Sequence, residues 1–214
     1  MTDLWSERAE VYRTSAIHSA GDDLDLVVEW CEPAEGVTAL DVASGGGHVA
    51  RRLREAGATV VTTDAAPGMK ADTTAPAEDL PFADASFDVV ACRIAAHHFA
   101  DVRAALGEMA RVARDRVVVC DNTFVSEASE EADRLRDATH VRNYSAAEWR
   151  IFFEGAGLEV TDEQTIERWA EVESWLERAG CAGDDAARVR ELLADEIVDG
   201  KKRLPTLVIK GAKK

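Results

Sequence analysis

Short β-branched runs alternate with longer helical segments along this chain, a pattern that predicts a mostly parallel sheet joined by crossover helices. Two opening helices are expected over 4–17 and 22–32, with Leu26, Val27 and Trp30 on one face of the second. Pro33 and Gly36 stop that helix. Strands are expected at Thr38–Val42, Ala58–Asp64, Phe87–Cys92 and Arg116–Asp121, with helices over Gly47–Ala56 and Val102–Ala113. Arg114–Asp115 reads as a tight connection into the fourth of these strands. Beyond Asp121 the rhythm changes to a polar helix over Ser126–Ala138 and a loop at Arg142–Tyr144. Ser145 and Glu148 then form a capping box for a helix carrying Trp149, Phe152 and Phe153. A short strand at Leu158–Thr161, helices over about 170–179 and 185–198, and a last strand at Leu204–Lys210 complete the pattern. Neither a repeat nor a linker interrupts it, so one domain over 1–214 is expected.

The densest chemical signal is ALDVASGGGHVA, Ala39 to Ala50. An apolar strand ends in Asp41, and a glycine-rich turn opens a helix near Gly47. Glycines there permit left-handed backbone angles and close approach of a ligand to the main chain. The following helix start offers free amide groups. The next strand ends in Asp64, where an acid is placed to accept hydrogen bonds from ribose hydroxyls. Gly45, Gly47 and Ala50 also satisfy the dinucleotide pattern G-x-G-x-x-A, which alone is weak and permits NAD. Asp41 argues against a pyrophosphate. An adenosyl ligand carrying a sulfonium and an ammonium suits acidic surroundings better.

Charge narrows the partners. With 25 basic and 41 acidic residues the chain carries a formal charge of −16, which disfavours nucleic acid and anionic membrane surfaces as partners. Cys31, Cys92, Cys120 and Cys181 are scattered, without the spacing of a zinc site, so no metal and a reducing compartment are expected. The amino terminus lacks a signal-peptide pattern and there is no 18-residue apolar run, which points to a cytoplasmic protein.

In order and wording, LDVASGGG, VVTTD and AEDLPFADASFDVVACRIAAHHF resemble the class I S-adenosylmethionine-dependent methyltransferases. The nearest subgroup, type 11, includes the ubiquinone and menaquinone biosynthesis enzymes. The later stretch RLRDATHVRNYSAAEW is similar to uncharacterised bacterial members. The resemblance implies an α/β Rossmann-like sandwich whose mostly parallel sheet has an antiparallel last strand. Within it, 1–35 would form N-terminal helices, 36–122 a cofactor-binding core, 123–203 substrate covers, and 204–214 the last strand. S-adenosylmethionine would be the cofactor, S-adenosylhomocysteine the product, and a small molecule the methyl acceptor.

Residue by residue, the resemblance sets Gly45 and Gly47 under the methionine portion, with Asp41 holding that loop and the head group. Asp64 would grip the ribose diol. Ala77 and Glu78 fall in the adenine-contacting stretch, and Arg93 and Ile94 lie beside the methionine moiety. Tyr12 stands where an aromatic residue folds over the cofactor. Many relatives have glycine where Ala43 stands, and an aspartate where this chain has Pro76, which offers neither a side-chain acceptor nor an amide donor. Only residues 65–79 separate Asp64 from Leu80, too few for a full crossover helix and strand. The fold is therefore expected to be shortened after the second strand, with a crossover of at most one turn and a strand within Ala71–Thr73. A partner subunit or the cofactor is expected to cover this open edge, and an exposed edge favours a homodimer.

His97 and His98 fall where a methyl acceptor would lie, as groups to orient it or remove its proton. Adjacent side chains diverge, so at most one should face the pocket. His140 and Arg142 form a second polar cluster, Arg142 being suited either to a carboxylate on the acceptor or to an internal salt bridge. Glu127, Glu130, Glu131 and Asp133 read as a solvated helix face, and Trp149, Phe152, Phe153, Trp169 and Trp175 mostly as core or interface. Three other readings stay open: a non-catalytic protein that keeps an adenosine pocket, an NAD-dependent oxidoreductase, and a methyltransferase acting on nucleic acid or protein, which the charge disfavours for nucleic acid.

Overall fold

A computed structural model describes residues 2–213; Met1 and Lys214, the ends of the expected 1–214 unit, lie outside the described residues. In chain order come α1 (Thr2–Arg13), α2 (Ala16–Ser19), α3 (Asp22–Cys31), β1 (Thr38–Val42), α4 (His48–Glu55) and β2 (Thr59–Asp64). β3 (Thr73–Thr74), β4 (Phe87–Arg93), α5 (Val102–Val112) and β5 (Ala113–Asn122) follow. The distal part holds α6 (Glu127–Arg136), α7 (Ala146–Gly155), β6 (Leu158–Glu171), α8 (Val172–Ala179), α9 (Gly183–Leu192), β7 (Ile197–Val198) and β8 (Lys201–Lys213).

Among the described residues one sheet runs in the order β3-β2-β1-β4-β5-β8-β6, with β7 paired to β8. β1 to β5 pair in parallel, and β8 lies antiparallel to both β5 and β6. The alternation of side chains divides the core: Leu40, Val90 and Cys92 pack with α5 and α7 on one face, and Ala39, Val89 and Cys120 with α3 and α4 on the other. This is the expected Rossmann-like α/β sandwich. Because β1 and β4 are neighbours while β2 follows β1 outward, the chain reverses direction across the sheet between β1 and β4. Loops at the carboxyl ends of these strands therefore diverge and leave a crevice.

The trimmed edge is present: the β2–β3 crossover is a single 3₁₀ turn at Pro67–Met69, and β3 has two residues, one position later than expected. Its cover is α1 of the same chain. Ala9 packs with Ala66 and Met69, and the Ser6 hydroxyl accepts a hydrogen bond from the Gly68 amide at 3.0 Å.

Several boundaries differ from expectation. The opening helix breaks at Thr14 and Ser15, and Ser15 bonds the His18 ring at 2.7 Å. Ala113 already belongs to β5, and Arg114–Asp115 sit at a shift of register opposite β4 rather than in a connection. β6 runs ten residues past the expected four, to Glu171, because β8 pairs with it throughout its length. Helix α9 ends at Leu192, and 197–198 turn back as β7 through Asp199 (φ 49°) and Gly200 (φ 75°). Two consecutive positive φ angles in Asp-Gly are the signature of a tight hairpin turn.

Candidate active site

The glycine loop follows β1 and must reverse within five residues, from Ala43 to Gly47. Ala43 (φ 53°), Gly45 (φ 51°) and Gly47 (φ 72°) are all left-handed, so an alanine bears strain that glycine would not. Gly46 has a different reason to be small: a Cβ there would lie 2.6 Å from the carbonyl oxygen of Tyr12. The Asp64 carboxylate holds this loop from β2, one oxygen accepting from the Gly45 amide and the other from the Ala66 amide, both at 2.9 Å. Burial pushes its pKa up, against those two amide bonds. Asp41 is fully buried and accepts one bond, from the Ala50 amide at 3.0 Å. Burial outweighs that bond and, with the nearby Asp64 charge, lifts the Asp41 carboxyl to about 7.

Arg93 ends β4 and is committed inside the protein. Its guanidinium lies 2.7 Å from Asp23 of α3 and donates to the His18 carbonyl at 2.9 Å. Ile94 is left-handed (φ 52°), a rare angle for a β-branched residue, and its amide donates to the Cys120 carbonyl at 2.7 Å. Ala75, Pro76, Ala77 and Glu78 form a further wall; one oxygen of Glu78 accepts from the Asp101 amide at 3.2 Å. Over the top lies α1, with the Trp5 ring 5.7 Å from that of Tyr12 and 4.7 Å from that of His98. These walls enclose a cavity of about 370 Å³.

Only one of the adjacent histidines lines the cavity, but their side chains do not diverge as expected: the two rings pack with centroids 4.0 Å apart. His97 is buried away from the cavity: its Nδ1 lies 2.6 Å from one oxygen of Asp121, and its amide donates to the other at 2.7 Å. Burial would lower its pKa, but the charge and hydrogen bond of Asp121 prevail and raise it. His98 lines the cavity, with Nδ1 3.0 Å from the Thr139 carbonyl oxygen. A carbonyl only accepts, so the proton sits on Nδ1 and the lone pair on Nε2. Burial, then the charge of His97, holds His98 well below the ordinary histidine range, so it is neutral.

Tyr12, Asp41, Ala43, Gly45, Asp64, Ala77, Glu78, Arg93 and His98 thus come together around one cavity. Gly47, His97, His140 and Arg142 do not line it. Gly47 caps α4 just behind the loop. Arg142 makes an exposed ion pair with Glu148 at 2.8 Å, and the His140 ring meets Glu130 at 3.2 Å. Glu130 and Asp133 are correspondingly not a solvated face. Glu130 is buried and accepts from the Asn143 amide, while Asp133 lies 2.9 Å from buried Lys202. Glu130, Asp133 and His140 could together hold a cation, but Lys202 and Arg134 already supply their positive charge. Trp169 is half exposed on β6 rather than in the core.

Among the lining residues that escape a reading of the sequence are Trp5, His18, His48 and Thr139. Only an amphipathic reading of α1 could have found Trp5, one and two turns before Ala9 and Tyr12. Nothing local marks the other three, which the fold brings in from α2, α4 and the segment after α6.

Comparison with known proteins agrees with this architecture. A family model described as a methyltransferase domain matches residues 40–120. The uncharacterised methyltransferase YcgJ of Bacillus subtilis is 32% identical over 202 residues, spanning 84% of this chain and 80% of its own. Its crystal structure superposes with a TM-score of 0.82 at 27% identity, over 90% of this chain and 98% of that one. A demethylmenaquinone methyltransferase of Clavibacter sepedonicus is 28% identical over 205 residues, covering 84% of this chain and 81% of its own. The chain belongs to the class I methyltransferases, in the type 11 methyltransferase-domain family.

Proposed function

We propose that the protein transfers the methyl group of S-adenosylmethionine to a small-molecule acceptor and releases S-adenosylhomocysteine. The observation that carries this reading is the pair of buried carboxylates, Asp41 and Asp64, facing the cavity with raised pKa values and, among the described residues, no cationic side chain in an ion pair with either. Such a pair lacks a counter-charge, and a ligand bearing a sulfonium and an ammonium supplies one. A dinucleotide would bring a pyrophosphate against the same two acids. The family to which the chain belongs supports the methyltransferase reading over an oxidoreductase.

Bound S-adenosylmethionine supplies an electrophilic methyl on its sulfonium. The remaining work is alignment, since in-line displacement gains most from fixing the acceptor behind that methyl. Each Asp64 oxygen spends one lone pair on an amide and keeps another for a ribose hydroxyl. The left-handed loop 43–47 leaves the main chain open to the amino-acid portion. Glu78 keeps one oxygen unpaired among the described residues, which offers the adenine edge the acceptor that Pro76 lacks. His98 presents Nε2 as a fixed hydrogen-bond acceptor, able to hold a hydroxyl or amine of the acceptor in line with the methyl; its depressed basicity suits it to orientation rather than to proton removal. Trp5 and Tyr12 on α1 exclude water from above.

A net charge of −16 supports a small acceptor over a nucleic acid. Replacing Asp64 by alanine and titrating with S-adenosylhomocysteine tests the reading. At least a hundredfold loss of affinity is expected, and undiminished affinity in the variant would contradict this site.

A further inference from the structure

The carboxyl end of α1 meets the glycine loop at the Tyr12 carbonyl. α1 ends at Arg13, and the last carbonyls of a helix need partners from outside it. That of Tyr12 accepts from the Ser15 amide at 3.3 Å and faces the His48 ring, whose Nε2 is 2.9 Å away. A carbonyl only accepts, so the proton of this bond sits on His48 Nε2. His48 opens α4 directly behind the glycine loop, is buried, and lines the cavity. The approach is close enough to constrain a third residue. A Cβ on Gly46 would lie 2.6 Å from the Tyr12 oxygen and 2.7 Å from His48 Nε2. Gly46, unlike Gly45 and Gly47, does not have the left-handed angle that would itself ask for glycine, so it is small for the sake of this contact.

We infer that His48 is a positioning residue for the cofactor site: its bond to the Tyr12 carbonyl seats the corner between α1 and α2 on the glycine loop, keeps Tyr12 over the cavity, and sets how long a bound cofactor is retained. This rests on the cofactor reading proposed above. The corner, Thr14 and Ser15, is tied to the core at a carbonyl on either side. His48 holds that of Tyr12, and Arg93 donates to that of His18 at 2.9 Å. Both ties come from side chains that line the cavity, so the floor of the site and its cover are joined through them. Within the corner, the Ser15 hydroxyl meets the His18 ring at 2.7 Å, and that ring lies 5.4 Å from the ring of Tyr12. The other bonds of α1 go elsewhere. Ser6 and Arg13 meet Gly68 at 3.0 and 3.2 Å in the 3₁₀ turn, and Arg8 reaches Asp137 and the Ala179 carbonyl in the cover. A change at Arg93 would also strip Asp23 of its nearest partner. Loss of the His48 donor frees the Tyr12 carbonyl alone. Because a ligand under α1 leaves only as the helix lifts, a bond broken in that lifting slows release.

The test compares His48→Asn, His48→Gln and Gly46→Ala with the wild type. Glutamine can place an amide N–H where histidine places the Nε2 proton, and asparagine falls one atom short. By surface plasmon resonance, S-adenosylhomocysteine should leave His48→Asn about fivefold faster than the wild type, with association no slower. His48→Gln should recover most of that difference. In the ligand-free proteins, trypsin should cut within α1, at Arg8 or Arg13, faster in His48→Asn but not in His48→Gln. Gly46→Ala, which presses on the carbonyl while leaving His48 in place, should also be cut faster. Unchanged dissociation from His48→Asn, or a glutamine no better than asparagine, overturns the inference. Equal cleavage of Gly46→Ala and the wild type overturns it too. Absence of S-adenosylhomocysteine binding by the wild type would contradict the cofactor reading instead, and the cleavage rates alone then decide on the tie: equal rates in His48→Asn and the wild type refute it, and a faster rate that glutamine reverses upholds it.

Discussion

Asp121 holds His97 at two points, one carboxylate oxygen 2.6 Å from Nδ1 and the other accepting the His97 amide at 2.7 Å. The pair joins the end of β5 to the turn after β4 and sets the neighbouring His98 toward the cavity. A histidine whose folded pKa lies above its ordinary value adds stability that is complete below about pH 6.5 and disappears as pH rises through the folded value. Asp121→Asn should therefore cost about 3 kcal/mol at pH 6, by leaving a buried imidazolium unpaired, and less at pH 9. Urea unfolding at the two pH values measures both; a gap that does not narrow would show that His97 is uncharged at pH 6.

Asp41 should couple cofactor binding to a proton. Its folded pKa of about 7 against an ordinary 3.8 means that its carboxyl favours folding below about pH 4, a contribution lost as pH rises through 7. A cationic ligand restores the ionised form. Affinity for S-adenosylhomocysteine, through its ammonium, should rise about tenfold from pH 6 to pH 8 and then level off, with a proton released on binding at pH 6. Calorimetry in two buffers of different ionisation enthalpy detects that proton, and Asp41→Asn should abolish the dependence.

Ala43 sits at φ 53°, where glycine bears no Cβ penalty. Relief of strain exceeds the added unfolded-state entropy, so Ala43→Gly should raise stability by about 0.5 kcal/mol. Ala43→Val should destabilise and weaken the cofactor, since a branched side chain at that angle would intrude on the loop. Thermal melts of the two variants decide it; a less stable glycine variant would mean the angle carries no strain.

The α1 cover depends on Gly68, where a Cβ would lie 2.5 Å from the Ser6 Cα. Gly68→Ala should lift α1 from the 3₁₀ turn and expose the amino-terminal helix to protease. Limited proteolysis with and without S-adenosylhomocysteine should show faster cleavage before Arg13 in the variant. Equal rates would mean that the contact does not hold the helix down.

The parts of the site legible in the sequence were those fixed by local chemistry. Asp41, the glycine loop and Asp64 each stand at a strand end, and a strand end is visible as the stop of an apolar run. The shortened crossover was legible for a similar reason, since Pro67, Gly68 and Pro76 leave no room for a helix. What was hidden came from long-range packing. Gly46 is constrained by Tyr12, thirty-four positions away, and His98 owes its tautomer to Thr139 in the cover. The length of β6 was obscured because Glu163 to Glu167 carry mostly polar side chains, so the alternation of an edge strand did not stand out. The Asp199–Gly200 turn was a local signal that the reading of a longer helix overrode.

The most direct measurement is calorimetric titration of dialysed protein with S-adenosylmethionine, S-adenosylhomocysteine and NAD side by side. The account predicts micromolar binding of the first two, weakened by Asp64→Ala, and none of NAD. Binding of NAD, or of none of the three, would contradict it.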